Sequence, residues 1–89
     1  MIRICTFTVG SHQIGIDAGR IREIVVLREL TTVAGAPAYV RGLINLRGQI
    51  VACLDTGQVL AVPAGDQPRM AVVVDDADEV VSLAVDAVG

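Results

Sequence analysis

The apolar residues of this 89-residue chain come in short β-branched runs, broken at close intervals by turn residues. Fifteen Val and eight Ile stand against one Phe, one Tyr and no Trp. Side chains branched at Cβ suit pleated, half-buried strands better than helices. The length fits one domain with a single modest core. A 53% hydrophobic chain with a net charge of -3 is too apolar and too weakly charged to be disordered. Pro63 and Gly65 break the best candidate for a membrane span, far short of the roughly 20 residues a spanning helix needs. Direct membrane insertion is therefore not expected. The start, Met1 to Phe7, reads as a strand and lacks the pattern of a secretory signal.

Charge and cysteine narrow the chemistry. All seven cations are Arg, spread along an acidic chain, which argues against a nucleic-acid footprint. Five of the ten acids (Asp75, Asp76, Asp78, Glu79 and Asp86) fall in the last fifteen residues. Cys5 and Cys53 sit in apolar, strand-like segments and read as two buried free thiols. One His and two distant Cys give no zinc spacing, so no metal site is expected.

Hydrophobic alternation places a first strand over residues 2–9, a turn at Gly10 and Ser11, and a second strand over His12–Asp17. Asp17 to Arg20 reads as one helical turn capped by Asp17. Ile21–Leu27 is strand-like, interrupted by Arg22 and Glu23. A loop runs from Arg28 to Pro37, and Pro37–Arg41 fits a short helix with Pro in its first turn. Gly42–Leu46 and Gln49–Leu54 form a hairpin through Arg47 and Gly48. Thr56–Val62 fits a short helix and Pro63–Pro68 a loop. Arg69–Val74 and Val80–Val85 are the last strands, joined by the acidic turn Asp75–Glu79. About seven short strands make a small all-β barrel or sandwich. The first and last hairpins both end in an aliphatic-Asp-Ala step (Ile16 to Ala18; Val85 to Ala87), a faint internal repeat.

The stretch from Ala36 to Asp55, APAYVRGLINLRGQIVACLD, closely resembles the signature of the CheW-like family. Its members are bacterial chemotaxis coupling proteins and the regulatory domain of CheA-type histidine kinases. Phe7 to Gly10, Gly15 to Asp17 and Ile21 to Ile24 stand at the family's spacing upstream. Ala71 to Val74 and Leu83 to Asp86 do so downstream, so the resemblance covers nearly the whole chain. It implies a fold built of small SH3-like β-barrels. It also implies a cytoplasmic adaptor that is not an enzyme, needs no cofactor, and binds the cytoplasmic tip of a chemoreceptor (a methyl-accepting chemotaxis protein). Coupling to the regulatory domain of a CheA-type kinase is a further implication; a partial adaptor that binds receptor alone is the alternative.

By position, Ile21, Glu23, Ile24 and Arg47 would lie on the receptor-facing groove. An aliphatic strip takes the apolar face of a helix, and a fixed acid and guanidinium set its register. From spacing alone, Ile21 and Ile24 read rather as core and Arg47 as a solvated hairpin tip; the resemblance reverses this for Arg47 and Glu23 and leaves the two isoleucines evenly balanced. Asn45, Leu46, Gly48 and Asp55 read as structural parts of the motif. Gly48 suits a positive-φ turn, Asn45 a local backbone hydrogen bond, and Asp55 a cap. The family normally continues for several tens of residues past the step matched by Val85 and Asp86. The expectation is an incomplete second barrel, with a second copy supplying strands by edge pairing or exchange.

Other readings have less behind them. Asp55-Thr56-Gly57 is the aspartic-protease tripeptide, and two such carboxylates across a dimer would share one proton. No flap or supporting segment accompanies it. The run Asp75 to Glu79 lacks the Gly and the bidentate Glu of a calcium loop and reads as a solvated turn. His12 reads as surface, and no phosphate-binding Gly-rich loop is present.

Overall fold

A central strand buried on both faces organises the molecule. The computed structural model describes residues 1–63 and 68–89. Its strands are β1 (Ile4–Val9), β2 (His12–Asp17), β3 (Ile21–Val26), β4 (Val40–Leu46), β5 (Gln49–Asp55), β6 (Met70–Asp76), β7 (Glu79–Val85) and β8 (Ala87–Val88). One short helix, α1 (Thr56–Leu60), follows β5, and a single 3-10 turn spans Ala18–Arg20. The strands form two sheets, a three-stranded one in the order β2-β1-β8 and a five-stranded one in the order β3-β6-β7-β5-β4. In the larger sheet β5 and β7 run parallel, and all other neighbours are antiparallel.

Strand β6 shows why the sequence has no alternation there. Ala71, Val72, Val73 and Val74 are all buried, because each face of this strand meets a different core. Val72 and Val74 pack with Phe7, Val9 and Val85 between the two sheets. Ala71 packs with Ile44, Val51, Cys53 and Ala84 inside the larger sheet. A strand covered on both sides reads as a continuous apolar run.

The larger sheet closes towards a barrel through one backbone bridge. The chain leaving β3 crosses to the far edge of β4, where Thr31 and Leu43 exchange two hydrogen bonds of 2.9 and 2.8 Å. Gly42 permits this approach, since a Cβ there would stand 2.6 Å from the Thr31 carbonyl oxygen. Gly42→Ala is therefore expected to open the closure and cost roughly 1–3 kcal/mol, as overpacking does. Urea denaturation measures this, and an unchanged midpoint would show that Thr31 can move away freely.

Three expectations need correction. The helix over Pro37–Arg41 is absent. Instead one β-turn forms, with the Val40 N–H donating to the Pro37 carbonyl at 2.9 Å. The segment is taken by strand pairing, since β5 offers Val40 a partner in Leu54 and the Asp55 N–H donates to the Tyr39 carbonyl at 2.7 Å. An eighth strand, β8, pairs with β1 through Phe7 and Thr8; two residues are too few to show a period. The first strand begins at Ile4, leaving Ile2 exposed. The Asp17 cap forms, its carboxylate accepting from the Gly19 N–H at 2.9 Å. The Pro63–Pro68 loop falls largely outside the described residues.

The two aliphatic-Asp-Ala steps do different work. Asp17 caps its own turn. Asp86 reaches across the molecule to accept from the Gly10 N–H at 2.6 Å, tying the end of β7 to the first hairpin.

Candidate functional site

Strand β3 carries a bulge, and the bulge decides where its side chains go. Ile21 pairs with Val74 and Glu23 with Val73, so Arg22 is the extra residue. An extra residue flips the facing of everything beyond it. Ile21 therefore points to the core between the sheets, half-buried against the Phe7 cluster. Glu23 and Val25 turn to the interior side of the larger sheet, where Val25 and Leu27 pack with Ile44 and Cys53. Ile24 and Val26 turn outward on the same face as Ile21, 37% and 61% exposed. Arg22 is held at the surface by Asp75, 2.9 Å away.

The β4–β5 hairpin brings the guanidinium to this strand. Arg47 and Gly48 both have positive φ, 51° and 87°, as a two-residue type I′ turn requires. The Asn45 side-chain oxygen accepts from the Gly48 N–H at 2.8 Å, and Leu46 packs on the Ile44 cluster. Arg47 is thus aimed by a rigid tip, and its Nη2 donates to the Glu23 carboxylate. The Arg47 side chain remains 73% exposed, and that of Glu23 26%.

Beside this pair lies a groove of about 370 Å³ between the end of β3 and β4. Val25 to Glu29 and Thr31 form one wall, and Leu43 to Leu46 the other. The four side chains singled out in the sequence therefore separate. Glu23 and Arg47 touch each other close in sequence to the groove residues Val25 and Leu46, and Ile24 stands on the opposite, outer face of β3. Ile21 supports β3 from within. Val26, Leu43 and Arg28 were not picked out by the sequence reading. Val26 was findable, because it continues the Ile24 face two residues on.

Asp55 has two tasks. Its carboxylate accepts from the Gln58 N–H at 3.2 Å, capping α1, and it lies 3.2 Å from the Arg41 guanidinium. Thr56 and Gly57 are the buried residues of the first turn of α1. The tripeptide that resembles a protease motif is here a helix start. Among the described residues no three His, Cys, Asp or Glu side chains converge as a metal site would need, and no helix is long and apolar enough to cross a membrane.

Cys5 is half-buried and Cys53 buried, both as free thiols. Burial pushes the Cys53 thiol above its ordinary range, only partly offset by a Ser82 hydrogen bond and the Arg41 charge, with Asp55 adding to the rise. A thiol whose folded pKa exceeds its unfolded value, about 8.5, leaves stability intact below that pH. As pH rises further, the unfolded state ionises first and gains. Denaturant midpoints are expected to fall as pH rises above the unfolded value, and the fall to be shallower in Cys53→Ala. Equal slopes in the two proteins would contradict this.

The comparisons bear on this geometry. A model of the CheW-like domain matches residues 3–89. The chain is 32% identical over 84 residues to "Chemotaxis protein CheW" of Klebsiella aerogenes, covering 92% of this chain and 51% of that protein. It is 33% identical over 87 residues to "Chemotaxis protein CheW" of Rhizobium meliloti, covering 96% of this chain and 56% of that one. The chain thus spans about half the length of these curated relatives. The crystal structure of scaffolding protein TtCheW from Thermoanaerobacter tengcongensis superposes with a TM-score of 0.88 at 26% identity, over 97% of this chain and 60% of that one. Matched along nearly its full length in both sequence and fold, the chain belongs to the CheW-like domain family, and its barrel is SH3-like.

Proposed function

We propose that this domain is a cytoplasmic adaptor in a chemosensory pathway, docking the helical cytoplasmic tip of a chemoreceptor on the β3–β4 face. The observation that carries the reading is the Glu23–Arg47 pair next to an open groove lined by Val25, Val26, Leu27 and Leu43 to Leu46. Aliphatic side chains on a strand give the apolar face of a helix something to bury. The acid and the guanidinium, already oriented by β3 and the type I′ turn, fix which helix and which register. The named relatives are chemotaxis proteins and a scaffolding protein, and the binding of partners without chemistry on them follows that pattern.

Coupling to a CheA-type kinase is a second contact, separable from the first. Titration of a receptor-tip helical hairpin into the chain, followed by calorimetry, tests the receptor contact. Saturable binding, weakened by salt as the ion pair predicts, is the expected result. A parallel titration with the kinase regulatory domain tells a full coupler from an adaptor for receptor alone. No heat and no complex with any receptor tip would end the proposal.

A further inference from the structure

Most polar groups in and beside the β3–β4 groove already have partners inside the chain. The Thr31 and Leu43 backbones bond each other. The Asn45 side-chain oxygen is held by the Gly48 N–H. Glu23 and Arg47 hold each other. Arg28 and Glu29 differ. Among the described residues they are the only charged ones lining the groove. Both are exposed, and neither takes part in any of the three ion pairs, which join Arg22 to Asp75, Arg41 to Asp55 and Arg47 to Glu23.

Their position in the fold is firmly set. They lie where the chain crosses from β3 to β4. On one side the Leu27 N–H donates to the Arg69 carbonyl at 2.8 Å, and on the other the Thr31 N–H donates to the Leu43 carbonyl at 2.9 Å. Leu27 and Leu30 both pack on the Ile44 cluster. Two charges of opposite sign are thus pinned between anchored leucines, with the cation first and the anion second in chain order. A partner that covers the apolar lining also excludes water from them, which strengthens their field.

We infer that Arg28 and Glu29 are the specificity-determining charges of the groove, selecting an amphipathic helix that carries an acid and a base beside its apolar stripe. The inference rests on the docking reading above and deepens it. The aliphatic lining accepts any apolar helix face, so it discriminates little. The Glu23–Arg47 couple is already neutralised within the chain. Arg28 and Glu29 keep their charge for the partner. An acid and a base three or four positions apart share one face of a helix, so one helix can answer both. The order also sets direction. A helix laid in reverse brings its acid to Glu29 and its base to Arg28, and like charges brought together disfavour that pose.

Calorimetry with a receptor-tip helical hairpin tests it. The double change Arg28→Glu with Glu29→Arg keeps the net charge of -3 and inverts only the order. Its Kd is expected to rise at least about tenfold, with the melt unmoved because both residues are exposed and outside the ion pairs. Arg28→Lys with Glu29→Asp keeps the order and is expected to stay within about threefold. A hairpin whose flanking acid and base are exchanged should regain affinity for the swapped chain. It should also bind the unaltered chain at least about tenfold more weakly, a readout that needs no change to the chain. The two possible failures are distinct. An unaltered chain that binds no receptor tip removes the docking reading, and this inference with it. An unaltered chain that binds both hairpins equally, or a swapped chain that binds as before, overturns the inference alone.

Discussion

Phe7→Ala is expected to lower the unfolding free energy by about 3–5 kcal/mol, the usual cost of deleting a buried Phe. It is the only Phe in the chain, fully buried from solvent. It packs with Val9 of its own strand and with Val72, Val74 and Val85 of the larger sheet. Its strand is also the middle of the three-stranded sheet, bonded to β2 on one side and β8 on the other. The cavity would open where the two sheets meet. A domain's whole stability is about 5–15 kcal/mol, so the change removes a large share. Urea denaturation gives the number, and amide exchange gives the place, with β1 and β2 losing protection before β5 and β7. A loss under about 1 kcal/mol would mean that the sheets are held by something other than this core.

Arg47→Glu should have the opposite profile, a small change in stability and a large change in binding. The Arg47 side chain is 73% exposed, and exposed ion pairs contribute about 0–1 kcal/mol after screening. The hairpin keeps its Asn45–Gly48 bond, so the fold persists. The docking face, however, now presents two acids, Glu23 and Glu at position 47. A receptor tip that matched an acid beside a guanidinium loses about 2 kcal/mol or more, at least thirtyfold in Kd. Calorimetry with the helical hairpin reads the binding, and a melt reads the fold. Unchanged affinity would remove Arg47 from the interface.

How much of this was visible in the sequence differs from residue to residue. The Arg47–Gly48 turn was legible because a type I′ turn needs two positive φ values, and Gly supplies one cheaply. Asp17 and Asp55 announced their caps for a similarly local reason. The Arg22 bulge was not legible. Nothing in Ile21 to Val26 says that the partner strand will oppose two residues with one, and that single event separates Ile21 from the facing of Glu23. The false helix at Pro37 came from reading a local preference where β5 supplied the deciding bonds. The double burial of β6 was hinted at by Ala71 to Val74, yet which sheet covers which face is a property of topology. The resemblance set Glu23 and Arg47 on one groove, each to pair with a partner helix; that they pair with each other, and that the chain crosses at Thr31 to β4, only the folded chain reveals.

The most direct test of the account maps the docking face by NMR. Backbone amide shifts of the labelled chain are recorded while an unlabelled receptor-tip hairpin is added. The account predicts shifts concentrated at Glu23 to Thr31 and Leu43 to Gly48, with β1, β2 and β8 unmoved. Shifts confined to the three-stranded sheet, or to α1 and Tyr39, would contradict it.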